Sequence, residues 1–467
     1  MESINPFTGK VVARYEEMGR DAVDAAIEAA HRAHLEWREL SFAERARPMK
    51  RAAELLRDHA AEYGRLMATE MGKPLRDGIA EAKKCAVGCQ FYAENAERFL
   101  SPQPVELEGR TAKVVFRPLG VLLAVMPWNF PFWQVMRFAA PALMAGNGGV
   151  LKHAANVQGC ALALERLFRD AGFPEHLFRT LIIGNKAVEG VIEHPLVRAV
   201  SLTGSSGAGR AVARKAGECL KKCVLELGGS DAYLVLDDSD IAFAATQSAK
   251  GRLVNGGQSC IAAKRFIVTE KVRAEFEKHL VEEMGEWRMG DPLDEGTTLG
   301  PMARHDLRDS LHEQVQRSIT RGARCLAGGK TPAGDGAFYP PTVLSDVRKG
   351  MPAYDEEMFG PVAAIISAAD EKEAIRLAND SEFGLGGGVF TRALKHGEAL
   401  ASDCIDAGLV FVNAPVESNP MLPFGGIKGS GYGRELSSFG IHEFVNIKTV
   451  VVAPHGMSAS SQMPHSE

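Results

Sequence analysis

The chain has 467 residues, 45% hydrophobic and 24% charged, and a formal net charge of -5 from 54 basic and 59 acidic residues. That composition supports two or three domains with sizeable cores and excludes both a disordered chain and the basic excess that nucleic-acid or anionic-membrane binding needs. Eight cysteines in a chain of this size, whose opening MESINPFTGK lacks the basic and apolar regions of a signal peptide, read as reduced thiols in a cytoplasmic protein.

In chain order, Asp21 with Asp24 three residues on reads as the N-cap of a helix over 21–38, in which Val23, Ile27, Ala30, His34 and Trp37 fall at helical spacing. Similar patterns fill 42–99, and Ser101-Pro102-Gln103-Pro104 marks a break. The pairs Cys85/Cys89 and Cys219/Cys223 are each four apart, which on a helix is one face, and no CxxC or HExxH suggests a metal site. The long apolar stretch 121–151 carries Pro127, Asn129, Pro131, Arg137 and Pro141; lipid would not satisfy these, so a buried strand and loop is expected instead of a membrane span.

From there short apolar runs at 121–126, 149–151, 181–183, 199–202 and 224–227 alternate with helix-like segments, the pattern of a parallel sheet covered by helices. One crossover helix spans 160–171, with Gly172 as its C-cap and Pro174 beyond. A second α/β block runs over 232–420, with strands at 265–269, 362–366 and 409–413. The valine-rich segment 446–453 has no neighbouring strand in sequence and is expected to pair with a distant or foreign edge.

Four segments carry candidate chemistry. NGGQSCIAAKR (255–265) presents Cys260 after a glycine pair, either as a nucleophile or as a small buried hydrophobe. VLELGGSDAYLVLDD (224–238) puts Glu226 at an apolar strand end, where desolvation would raise its pKa toward that of a general base unless it merely binds glycine-turn amides. MPWNFPFW (126–133) stiffens a loop with Pro127 and Pro131 and fixes the Asn129 amide, a donor of the kind whose loss from an oxyanion site costs about 10²- to 10³-fold in rate. SLTGSSGAGR (201–210) leads a strand into a helix near Ser206, whose amides suit a pyrophosphate, although its GxxGxG differs from the usual GxGxxG.

With LKHA (151–154), EEMFGPV (356–362) and LPFGGIKGSGYGRE (422–435), these segments resemble the aldehyde dehydrogenase superfamily, in the same order and over nearly the whole chain. The resemblance implies an α/β fold: a Rossmann-like dinucleotide-binding domain (1–100 and 119–228), a catalytic domain (229–430), oligomerisation strands (101–118 and 444–454) and a loose tail (455–467). It implies that Cys260 attacks an aldehyde, that Asn129 and the Cys260 amide hold the oxyanion, and that Glu226 activates the water that hydrolyses the thioester. Trp128, Asn129, Lys152, Gly204, Ser205, Leu227, Glu357 and Phe359 would surround the dinucleotide, with Lys152 also orienting the Asn129 region.

Ala155 stands where the family often has a glutamate favouring NAD, and His153 adds positive character, so NADP or NAD is expected with the balance toward NADP. Within the family the sequence is most similar to bacterial succinate-semialdehyde dehydrogenases. By that similarity Arg137 and Ser418 would hold a distal carboxylate; another small aldehyde, glutarate semialdehyde or an aliphatic one, is the alternative. Val254 replaces an arginine found in some members, and Arg252 lies eight before the nucleophile. Ala262 excludes a local disulfide with Cys260. A cysteine hydrolase and a non-catalytic protein are readings from other classes, and a homodimer or homotetramer is expected from the strands at 101–119 and 446–453.

Overall fold

The computed structural model describes residues 1–454, so the expected loose tail at 455–467 lies outside the described residues. Two parallel sheets dominate. In the first, the order is Gly431–Tyr432, Lys222–Glu226, Val197–Thr203, Val121–Met126, Gly148–His153 and Phe178–Thr180, parallel except for the first pair. Val121, Leu122, Leu123 and Ala124 are wholly buried, as expected of a strand covered by helices on both faces, which cannot alternate polar and apolar positions. The chain builds outward from Val121–Met126 in one direction and then the other, so a crevice opens where Val121–Met126 and Val197–Thr203 end side by side, the switch point at which open α/β sheets bind ligands.

The second sheet runs Arg324–Ala327, Thr342–Ser345, Val362–Ala368, Ala263–Thr269, Asp231–Val235, Gly386–Phe390 and Leu409–Val412, again parallel except for the first pair. The valine-rich strand Val445–Val452 finds its edge within the chain, pairing along its whole length with Arg110–Pro118, which also pairs with Gln103–Leu107. Gly431–Tyr432 crosses the expected boundary at 430 and returns to the first sheet, with Gly431 opposite Glu226. No helix among the described residues is long and apolar enough to cross a membrane.

Three local expectations are corrected. The first helix, Arg20–Trp37, has Gly19 as its N-cap with no side-chain bond; Asp21 instead sits in the first turn, where its charge favours the helix dipole. The strand expected at 181–183 is Phe178–Thr180, and Leu181 and Ile183 are buried loop residues; a short apolar run reports burial, not backbone conformation. Cys219 caps the helix Ser206–Glu218 and Cys223 lies in the next strand, so they share no helical face, whereas Cys85 and Cys89 are both buried on Leu75–Leu100.

The nucleophile loop turns through left-handed backbone at Asn255 (φ 53°), Gly256 (φ 63°) and Gly257 (φ 75°). A methyl group on Gly257 would lie 2.2 Å from the Gly360 carbonyl oxygen. Gly257→Ala is therefore expected to cost about 2–4 kcal/mol through backbone strain and overpacking. Thermal melting checks this: a variant melting with the parent would mean the loop does not seat against Gly360.

Candidate active site

The helix Ile241–Leu253 ends at this loop, and the strand Ala263–Thr269 begins just beyond Cys260. The loop's carbonyls are gathered by two buried cations. The Lys264 Nζ donates to the carbonyl oxygens of Ser259 (3.0 Å), Cys260 (2.7 Å) and Ala262 (3.1 Å), and Arg252 donates to that of Gly257 (2.6 Å). Arg252 is fully buried, and this is its one hydrogen bond among the described residues, its Nε and Nη1 having none.

Cys260 lines a cavity of about 270 Å³ together with Trp128, Asn129, Thr203, Gly204, Leu227 and Phe359. Burial pushes its thiol up to about 12, with Arg137 and Lys264 acting in the opposite direction.

The amide of Asn129 reaches the same loop. Its Nδ2 donates to the Gln258 carbonyl (3.1 Å), and the Asn255 Nδ2 donates to the Asn129 (2.8 Å) and Gln258 (3.0 Å) carbonyls. A primary amide carries two N–H groups, so one remains for an oxyanion in the cavity.

The Asn129 loop is held from both ends. Glu81 accepts from the backbone N–H groups of Phe132 and Trp133, each at 2.9 Å, while its other oxygen pairs with buried Lys73. His153 closes the opposite end. Its Nδ1 accepts from the Ala154 N–H (2.9 Å), which leaves Nε2 to donate to the Pro131 carbonyl (2.9 Å).

That geometry corrects the expectation for His153. The ring is fully buried and turned toward the 126–131 loop, and burial lowers its pKa to about 4, so it brings no positive charge to a cofactor. Ala155 is likewise outside the lining: it is exposed at the start of a short 3-10 turn, and Ala154 forms the wall.

Glu226 ends the strand Lys222–Glu226, is 1% exposed, and both of its carboxylate oxygens lack hydrogen-bond partners among the described residues. Burial raises its pKa well above the usual carboxylate range; the Glu435 charge pushes the same way, against Arg137 and Arg434. Both Glu226 and Cys260 thus feel Arg137, and Glu226 also contributes to the field at the thiol.

Arg137 itself is not free. Its guanidinium is buried, forms an ion pair with Glu435, reaches the Thr203 hydroxyl at 3.3 Å, and stacks 4.3 Å from the Phe424 ring centroid. The expected clamp for a substrate carboxylate is therefore held along one edge by Glu435, and its Nη1 group makes no hydrogen bond among the described residues. Ser418 is buried, and its Oγ accepts from Lys84 and from the Trp133 indole, both at 2.9 Å.

The remaining candidates converge on the switch-point crevice. A second cavity of about 740 Å³ is lined by Lys152, Ala154, Asn185, Lys186, Thr203 and Gly204, among others, and shares Pro127, Thr203 and Gly204 with the cavity that holds Cys260. Lys152 donates to the Asn185 side chain at 2.7 Å, which leaves the Asn129 region to His153 and Glu81. Burial lowers the Lys152 pKa.

The Ser205 hydroxyl caps its own helix, accepting from Ala208 N–H at 3.3 Å. Leu227 packs so closely on Gly209 that a methyl group there would lie 2.6 Å from it. Trp128 meets Phe359 edge to face at 5.8 Å, and Glu357 accepts from the Gly229 N–H at 3.0 Å.

Lys264, Glu435, Asn255, Asn185, Glu81 and Lys84 were not among the sequence candidates. Lys264 had a signal of the same kind as Glu226, a charged residue at the start of an apolar strand (AKRFIVT). Glu435 had none, because its role depends on Arg137 nearly 300 positions earlier.

A family profile described as the aldehyde dehydrogenase family matches residues 1–450. The chain belongs to that family. It is 46% identical over 448 residues to a protein of Escherichia coli (strain K12) named as an NAD(P)+ succinate semialdehyde dehydrogenase, covering 96% of this chain and 97% of that one. It is 47% identical to a protein of Mycobacterium bovis (strain BCG / Pasteur 1173P2) named succinate-semialdehyde dehydrogenase, NADP(+), 1, covering 97% and 99%. Among solved structures, the succinic semialdehyde dehydrogenase of Streptococcus pyogenes in complex with NADP+ superimposes with a TM-score of 0.95 at 37% identity, covering 97% of this chain and 100% of that one.

A thiol held near 12 has a thiolate fraction that grows about tenfold per pH unit across the accessible range. Alkylation of Cys260 by iodoacetamide in the dehydrogenase alone is expected to accelerate from pH 6 to pH 10 without a plateau. A plateau near neutrality would show that the resting site already ionises the thiol.

Proposed function

We propose that this aldehyde dehydrogenase oxidises succinate semialdehyde to succinate with NADP or NAD. The observation that carries the chemistry is the meeting of the Cys260 thiol and the Asn129 amide on one cavity, with a buried carboxylate, Glu226, lacking any partner of its own.

The crevice fits a dinucleotide. The first-turn N–H groups of the helix Ser206–Glu218 have no carbonyl within the helix, the neighbouring wall carries Lys152, and Gly209 lets Leu227 close in. Lys152, Gly204, Ser205, Trp128, Leu227, Glu357 and Phe359 would hold it. The nicotinamide, when bound, supplies the hydride acceptor.

Cys260, as the thiolate left when its proton passes to water, adds through sulfur to the aldehyde carbon. The second N–H of Asn129 and the Cys260 backbone N–H donate to the oxygen, which becomes negative as the carbon turns tetrahedral. After oxidation the acyl group rests on Cys260 as a thioester, and Glu226 in its ionised form takes a proton from the attacking water. Its raised pKa keeps it protonated at low pH, so deacylation accelerates as pH rises through that value and then levels off.

Lys152 and Lys186 border the crevice, and Glu189 on the same wall is paired with Arg214, so NADP, with its extra negative charge, is favoured over NAD. The names of the relatives support succinate semialdehyde; glutarate semialdehyde or an aliphatic aldehyde is the alternative. A cysteine hydrolase would need a histidine beside the thiol, and the cavity around Cys260 has none in its lining. A cytoplasmic setting belongs to the same reading, since the thiol must stay reduced.

Cys260→Ala is expected to abolish hydride transfer, seen as loss of reduced-cofactor absorbance. Glu226→Gln should preserve a first-turnover burst and slow the steady state by at least about 10²-fold; steady turnover at the parental rate would remove Glu226 from the scheme.

We also read the chain as a homodimer or homotetramer built on the three-stranded sheet, which exposes Val105, Leu107, Ile447, Val451 and Val452. Sedimentation velocity at micromolar concentration should show at least a dimer, and a monomer alone would refute it.

A further inference from the structure

Lys264 is wholly buried at the start of the strand Ala263–Thr269, and it lines neither the cavity that holds Cys260 nor the dinucleotide crevice. Its three N–H groups match the three carbonyl oxygens that receive it, those of Ser259, Cys260 and Ala262, so the side chain is an ammonium with no donor to spare. Glu357 Oε1 lies 3.5 Å from the same nitrogen, while Asp231 and Arg252 act on it through their fields. A cation that meets no ligand can act on the reaction only through the groups it holds.

Those groups form the turn that carries the nucleophile. The Ser259 carbonyl also accepts from the Ala262 N–H at 3.2 Å, which closes a β-turn with Cys260 at its first central position. In a trans peptide, as here, the carbonyl and the N–H point in opposite directions. Lys264 draws the Ser259 oxygen to the buried side of the loop. The N–H of the same peptide, that of Cys260, is thereby turned to the side on which Cys260 lines the cavity, and it has no acceptor among the described residues.

The next peptide is held from two sides. Its oxygen, that of Cys260, accepts from Lys264 at 2.7 Å, and it packs so closely on Gly229 that a methyl group there would lie 2.6 Å from it. Gly229 in turn donates its N–H to Glu357, the counter-charge of Lys264.

We propose that Lys264 is a positioning residue for the oxyanion site: it aims the Cys260 N–H at the aldehyde oxygen and, as a positive charge at the far end of the same peptide, polarises that N–H for the negative charge that develops there. This rests on the thioester chemistry proposed above and names the group that sets up its backbone donor. Hydrogen bonds at the two ends of one peptide strengthen each other in a low-dielectric site, and a donor fixed before the oxygen becomes negative costs no reorganisation during the reaction.

The Lys264 charge also favours the Cys260 thiolate, as does that of Arg137, against burial, Glu357 and Glu226. Two reactions of the same sulfur separate the two effects. Alkylation by iodoacetamide displaces iodide from a saturated carbon and needs no oxyanion donor. Acylation by succinate semialdehyde, followed as reduced cofactor in a single turnover with excess NADP, needs one.

In Lys264→Met, alkylation should slow by no more than about tenfold through the lost charge, and acylation by about 10²- to 10³-fold. Lys264→Arg, which keeps the charge, should hold alkylation within about threefold of the parent and restore part of the acylation rate. Thermal melting shows which variants fold, and Lys264→Gln decides if Lys264→Met does not. Falls of equal size in the two reactions would make Lys264 a prop for the thiol alone, and no fall in acylation would leave it without a role; either result overturns the proposal. A parent enzyme that is alkylated but reduces no cofactor would sink the thioester reading itself, separately from any result at Lys264.

Discussion

Everything at this site depends on one docking interaction: the loop at 255–260, carried by the second sheet, is pinned against the loop at 127–131, carried by the first. The contact is polar and buried. Asn129 donates to Gln258, and Asn255 donates back to Asn129 and to Gln258, so each loop satisfies a backbone carbonyl that burial would otherwise leave bare. Glycine seats the first loop on its other side, where Gly257 lies against the Gly360 carbonyl at a distance no side chain would permit. Cys260 and Asn129 come from different sheets, and this seam brings them together.

Around the seam the chain accepts unfavourable electrostatics. Glu226 is buried without a hydrogen bond among the described residues, and Glu435, buried beside it, is balanced by Arg137 and by the Ser201 hydroxyl. Isolated buried charges are costly, and a carboxyl group so placed holds its proton more tightly. Lys264 differs: it is as deeply buried, yet three carbonyl oxygens receive it, and it serves to shape the backbone.

Much of the site was legible because its residues sit in short, chemically odd segments. Cys260 after two glycines, Glu226 in an apolar strand end and Asn129 between two prolines each stand out, and Cys260 and Asn129 line one cavity. The misreadings have a common cause. His153 is a polar residue at a position that could have faced a ligand, but it donates to the Pro131 carbonyl, and Arg137 makes a pairing with Glu435 that its segment did not suggest. Both partners are supplied by packing, and nothing local to either residue announces them. Ser418 shows the same dependence: its hydroxyl was placed near substrate, but the cation that approaches it, Lys84, lies 334 positions away.

The sequence by itself determined the alternation of buried strands and helices, the glycines and prolines that shape the two loops, the thiol and amide those loops carry, and the carboxylate at the end of a buried strand. These follow from hydrophobic period and backbone stereochemistry, which act over a few residues. The tertiary structure alone decided which charges are free and which are spent. Whether a buried cation serves a ligand or the chain depends on where the nearest opposite charge falls after folding. For Arg137 that charge is Glu435; for Lys264 it is three carbonyl oxygens of its own loop.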